Sequence, residues 1–275
     1  MIVRIAEIIN EPKQPSLFEK NRNTGASMRG LGIGARQAVV PSPHAVDSRS
    51  YNFHLDRMCN RAERGDTQKV LNLFGAKKGA RFNEGPLQIH PAQPGTVIRL
   101  ENGERMLEQM TWGFPLAQKS KKTGKPLKPK PINNARFDKL HTYFWKWAAS
   151  KPEHRCLIPT ARYCEACGEP GCMTETWLSV KDQAIFAWAG LWANSVEWGS
   201  VFTGVMTDNA PDLIDIHDRS PVIIDPADWD FWLTAPLEEL YRLDRPYPSD
   251  RLSVEHTTTP WYQRKPVSVD GPALL

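Results

Sequence analysis

The chain has 275 residues, of which 40% are hydrophobic, 24% charged and 9% aromatic, with a formal charge of +4. That is enough apolar material to bury a sizeable core in one large domain or two small ones, and one domain with an appendage is expected. No window approaches the eighteen apolar residues of a membrane-spanning helix, and the mild basic excess is compatible with nucleic acid without arguing for it.

The first ten residues carry Ile2, Val3, Ile5, Ile8 and Ile9, but Arg4 and Glu7 interrupt them and no small-residue cleavage site follows, so no secretion signal is read. Five cysteines, an odd number in a chain without such a signal, point to reduced thiols in a cytoplasmic setting rather than to a disulfide framework. Residues 1–57 hold scattered turn formers, little apolar period and eight Lys/Arg against five Asp/Glu, and are expected to be a poorly ordered N-terminal extension, a propeptide or a mis-called start. Residues 58–275 are expected to form the globular domain.

Within that domain, 66–75 reads as a short helix with Asp66 as N-cap and Gly75 as its stop. Runs rich in branched and aromatic residues at 95–100, 105–112, 176–180, 184–189, 201–206 and 222–224 read as strands. Helical patterns are confined to 137–149, 226–234 and 237–242. Many short strands with a few peripheral helices predict an α+β domain around a mixed or antiparallel, barrel-like sheet. Between the strands, Lys119, Lys121, Lys122, Lys125, Lys128 and Lys130 share a loop in which Gly124, Pro126 and Pro129 forbid a helix. Such a loop is either a solvated surface or a flap that contacts phosphates.

Four motifs then occur in order: Met58-Cys59-Asn60-Arg61; Asn134-Ala135-Arg136; Arg155-Cys156-Leu157-Ile158-Pro159 leading to Tyr163-Cys164-Glu165; and Ile216-His217-Asp218-Arg219-Ser220-Pro221. Together with Trp112-Gly113 and residues 186–192, they resemble the SOS-response-associated peptidase (SRAP) family over about residues 58–270. The chain departs from that family's pattern at Asn60, in place of Gly; at Cys164, in place of an aromatic; and at Ala166, in place of Trp.

The resemblance implies an SRAP-type domain that captures abasic sites in single-stranded DNA covalently. Such a site exists partly as an open-chain aldehyde. A cysteine with a free α-amine can form an imine with it and close its thiol onto the imine carbon, releasing one water and leaving a five-membered thiazolidine. Closure gains from proximity. By resemblance Cys59 is this nucleophile, Glu165 the acid/base of imine formation, His217 the group that helps open the sugar, and Asn134 the residue that orients the amine. Arg61, Arg136 and Arg219 are candidates for phosphate contacts, as are Lys121 and Lys122 in the lysine loop, while Trp112 and Phe114 are candidates for stacking beside the lesion. The reaction calls for no metal and no small-molecule cofactor.

Three rival readings share these residues. Cys59, His217 and Asn134 could serve a thiol peptidase acting on other proteins as nucleophile, base and orienter, whereas self-processing that exposes Cys59 as N-terminal residue would use the same residues and belongs with abasic-site capture. Cys164, Cys167 and Cys172, with Cys156 and His154 upstream, have the residue types of a zinc module. A passive DNA-binding protein would use the basic residues alone.

Overall fold

A computed structural model describes residues 60–262. The 1–57 extension, Met58 and Cys59 lie outside the described residues. Fifteen strands and four α-helices are described. The chain starts with β1 (Arg61–Arg64) and α1 (Thr67–Phe74), followed by β2 (Lys77–Lys78), β3 (Gln88–Ile89), β4 (Pro94–Glu101) and β5 (Glu104–Trp112). An arm of β6 (Phe114–Lys119) and β7 (Pro126–Ile132) leads to β8 (Asn134–Arg136), α2 (Tyr143–Ala149) and the long β9 (Arg155–Cys167). Then come β10 (Thr174–Val180), β11 (Phe186–Ser195), β12 (Gly199–Asp208), β13 (Arg219–Pro221), β14 (Ile223–Ile224), α3 (Trp229–Thr234), α4 (Leu237–Leu240) and β15 (Leu252–Pro260).

Thirteen strands form one mixed sheet, and five of them close a ring of hydrogen bonds. β9 pairs antiparallel with β4 and with β11, β4 with β5, β5 parallel with β12, and β12 antiparallel with β11. The expected α+β class, mixed sheet and outlying helices are therefore observed. The β4–β5 turn is Asn102-Gly103, both at positive φ, the backbone that a two-residue hairpin requires.

Strand alternation divides the core in two. Ile98, Leu107, Ala187, Ala189, Leu191, Val201 and Val205 face one layer with Phe74, Trp145, Trp229 and Trp232, which helices α1, α2 and α3 bring in. Their neighbours Val97, Met110, Phe186, Trp188, Phe202 and Met206 face the other layer with Trp112, Cys156 and Tyr163. Side chains of period two thus bury both faces, which is why β11 and β12 read as continuous apolar runs.

The inner layer is tight where β11 and β12 cross. Gly190 and Gly204 are cross-strand partners, and a Cβ on Gly204 would stand 2.0 Å from the Trp188 ring. Trp188 cannot yield easily, because its Nε1 donates to the Val205 carbonyl at 2.8 Å. Gly204→Ala is expected to cost about 3 kcal/mol, read as a lowered denaturation midpoint. An unchanged midpoint would show that the ring has room to move.

Helix α1 has the expected caps: Asp66 accepts from the Lys69 amide at 2.9 Å, and Gly75 is left-handed. The other helices are shorter than expected. The 137–149 pattern splits into a 3-10 turn, Phe137–Lys139, and α2, with Leu140 buried between them. The 226–234 and 237–242 patterns likewise each pair a 3-10 turn with a short α-helix.

Arg155, which opens its motif, is a structural residue. It is 1% exposed and donates to the carbonyls of Ala149, Trp232 and Ala235, at the C-terminal ends of α2 and α3. A cation satisfies these otherwise orphaned acceptors.

The lysine segment is not a loop but a hairpin arm, with β6 and β7 paired from Phe114↔Ile132 to Lys119↔Pro126. Its prolines exclude a helix, as expected, but a two-stranded ribbon has only edge strands, and edge strands accept proline.

Candidate active site at the start of the first strand

The described chain begins at Asn60, and β1 runs antiparallel to β9 with Arg61 opposite Cys164. That register places the start of β1 beside Glu165. The Glu165 side chain lies on the inner side of β9 with Thr176 of β10 as its cross-strand neighbour, and the residue is 1% exposed. A carboxyl enclosed in this way is no surface carboxylate.

From the other side, Asn133 reaches Asn60: its Nδ2 donates to Asn60 Oδ1 at 2.9 Å. Asn133 immediately precedes β8, so Asn134, 4% exposed, is within one residue of this contact. β8 is fixed by parallel pairing with β12, Asn134 opposite Gly204. The structure therefore brings Glu165 and Asn134 to the same end of β1.

His217 stands on the loop that leaves β12 and returns as β13. Buried Asn209 holds this loop by donating to the carbonyls of Leu213 and His217 at 3.2 and 2.9 Å. The His217 Nδ1 accepts from the Arg219 amide at 3.0 Å, which puts the proton of the neutral ring on Nε2. Asp218 Oδ1, also 3.0 Å from Nδ1, becomes an ion-pair partner only when the ring is doubly protonated.

Asn60, Arg61, His90, Pro91, Lys130, Pro131, Asn133, Trp261 and Tyr262 line an open cleft of about 360 Å³ at this point. Arg61 pairs with Glu175 and lies 4.7 Å over the Trp261 ring, while Trp177 Nε1 donates to the other oxygen of Glu175 at 3.0 Å. Burial, reinforced by the nearby Arg61 charge, holds the His90 imidazole below its ordinary pKa against the opposing pull of the Asn60 backbone and Glu175.

Some expected DNA contacts need correction. Trp112 is fully buried and donates from Nε1 to the Asn133 carbonyl at 2.8 Å, and Phe114 is 1% exposed, so neither ring is presented to a base. Apolar flanks of a cationic arm are core here because the arm springs from the wall of the sheet. The arginines are placed differently from one another: Arg61 opens into the cleft, Arg136 makes a two-point pair with Asp138 at 2.8 and 2.9 Å, and Arg219 pairs with Asp208 at 2.6 Å. Lys121 and Lys122 are exposed at the tip of the arm, and Lys130 at its base lines the cleft.

The zinc-like cysteines lie mostly along β9, where residues three apart point to opposite faces. Cys156 and Cys164 are both fully buried; burial pushes the Cys156 thiol up in pKa and the Cys164 thiol up to about 12. Among the described residues no group of three or more His, Cys, Asp or Glu is arranged to hold a metal.

Sequence reasoning missed His90, Asn133, Trp261 and Tyr262. His90 sits in no motif, and Trp261 and Tyr262 reach the cleft only through the β15 pairing with β10. Asn133 carried one signal, the unusual Asn at position 60 that it contacts.

Fold and site together define a class: a single-domain α+β protein whose motif residues stand on β1, β8, β9 and the loop before β13, with a basic arm at the cleft. Residues 58–260 match the SOS response associated peptidase (SRAP) family, and the chain belongs to that family. Its fold resembles a crystal structure of a protein from Bordetella bronchiseptica, with 26% identity and a TM-score of 0.60 over 72% of this chain and 99% of that one. A Bacteroides thetaiotaomicron protein (19% identity, TM-score 0.58, 72% and 91% covered) and a phage-related Bordetella bronchiseptica protein (21%, 0.54, 72% and 94%) share the fold. No curated protein matches the chain. No helix among the described residues is long and apolar enough to cross a membrane.

Proposed function

We propose that this protein captures abasic sites in single-stranded DNA as a covalent thiazolidine, with Cys59 as nucleophile. The observation that carries the reading is the anchoring of Asn60, the residue bonded to Cys59, between the Glu165 end of β9 and the Asn133-Asn134 entrance to β8. A peptide unit spans about 3.8 Å between α-carbons, so a substrate of Cys59 must come within one residue of Asn60. Glu165 shuttles protons as the carbinolamine loses water, and His217, with its proton on Nε2, donates to the sugar oxygen as the ring opens. The lysine arm and Lys130 attract the phosphate backbone, and readout is by shape because the lesion has no base. Residues 1–57 are an extension that the reaction does not use, and the working protein is cytoplasmic, on DNA.

The test is a denaturing gel, after exposure to abasic single-stranded DNA, of purified protein whose first residue is Cys59: a shifted band supports capture, and a complex that dissociates leaves only passive binding. Turnover of a peptide panel without a shift would favour the thiol peptidase. Glu165→Ala and His217→Ala are expected to slow adduct formation by about 10² each. Unchanged rates in single-turnover time courses would make both structural.

A further inference from the structure

We infer that Asn133 is a positioning residue that grips Asn60, the residue bonded to the proposed nucleophile, beside the Glu165 end of β9. This rests on the function proposed above and deepens it.

The grip is traceable from core to cleft. Trp112, fully buried, donates from Nε1 to the Asn133 carbonyl at 2.8 Å, and the Gly204 amide donates to the same oxygen at 3.0 Å. Asn133 is thereby fixed to two strands of the closed ring. Its side-chain amide then holds Asn60 Oδ1 at 2.9 Å. A glycine at position 60 would offer nothing to hold, so the contact depends on the side chain this chain carries there. Register completes the frame, since Arg61 is locked opposite Cys164. Asn60 is thus held by its side chain and by its successor in the strand.

A nucleophile one residue from such a clamp gains most in the covalent step. Reacting atoms must come within about 3–3.5 Å, and a misplacement of about 1 Å can cost as much as 10² in rate. Neither Asn133 nor Asn60 adds charge to the cleft, so affinity for an intact strand should not depend on their contact.

The experiment is a double-mutant cycle on Asn133→Ala and Asn60→Gly, followed by denaturing gel and by binding of undamaged single-stranded DNA. Each single variant is expected to slow adduct formation about tenfold with undiminished affinity, and the double variant to be no slower than the slower single, because both remove one bond. Asn60→Gly leaves the Asn133 backbone bonds untouched and serves if Asn133→Ala folds poorly. Parent rates in both single variants, or fully additive losses, would overturn the clamp while leaving capture of abasic DNA standing. If the parent chain beginning at Cys59 itself forms no adduct, the functional proposal fails, and the clamp is judged by iodoacetamide alkylation of Cys59, which needs no DNA. A changed Cys59 rate in both variants supports it, and equal rates overturn it.

Discussion

Replacing Cys59 by alanine is expected to abolish the denaturation-stable adduct with abasic single-stranded DNA while leaving noncovalent binding of the same strand in place. The argument is one of elimination among thiols. Cys156 and Cys164 are shut into the strand layers with their thiols pushed up by burial, so neither meets an aldehyde in the folded protein. Cys167 is half-buried and Cys172 exposed, but their α-nitrogens are peptide amides, whose lone pairs are tied up in resonance, so their thiols could give only a reversible hemithioacetal. Cysteine at position 59 stands in the first motif and is bonded to Asn60, which lines the cleft. An alanine at the head of the chain would retain the amine, so a Schiff base would still form but would hydrolyse on denaturation. Borohydride reduction should therefore recover a band that Cys59→Ala loses without it. An adduct of undiminished yield and stability in Cys59→Ala would remove the assignment, whatever the structure around it.

Local sequence signals were legible where a side chain acts on its own neighbours. The Asp66 and Gly75 caps of α1 and the strands at β4, β5, β10 and β12 lie where pattern places them, within a residue or two. What escaped is what depends on partners far along the chain. β9 runs for thirteen residues, yet its Pro159, charges and motif residues hide any alternation, and only pairing with β1, β4, β10 and β11 makes it a strand. The lysine hairpin looked structureless because proline and lysine have low strand propensity; a ribbon with free edges tolerates both. At the site, the motif residues themselves could be read, but their supports could not. Trp112 was legible as a large aromatic beside the basic segment, and its role turned on burial: its indole holds Asn133 instead of stacking on a base. Asn133, His90 and Trp261 come from three distant segments, and no spacing in the sequence relates them.

A chain whose first residue is Cys59 is expected to form the stable adduct, and one that still carries Met1 and the residues up to Met58 is expected to form none. The reason is covalent. In the longer chain the nitrogen of Cys59 is the amide of Met58, without the basic lone pair that imine formation needs, so the thiazolidine has no second arm. With that bond absent the nitrogen is an α-amine with an ordinary pKa near 8, about a tenth of it neutral at pH 7, and the thiol is one carbon away. Two routes give this product: translation from Met58 with removal of that methionine before the small cysteine, or cleavage of the Met58-Cys59 bond by the protein itself. The domain's own residues make the first sufficient, since the family match starts at residue 58 and every motif lies after it. The second would use the peptidase-like Cys59, Asn134 and His217. Intact mass and N-terminal sequencing of the cellular protein, set beside its crosslinking yield, distinguish them. A mature chain that begins at Cys59 and crosslinks fits both routes, and a full-length precursor that shortens in purified form selects the second. A chain that begins at Met1 and crosslinks stably would break the requirement for a free amine, and with it the thiazolidine. A Met1 chain that binds DNA but never crosslinks would instead describe a homologue that has kept the fold and lost the reaction.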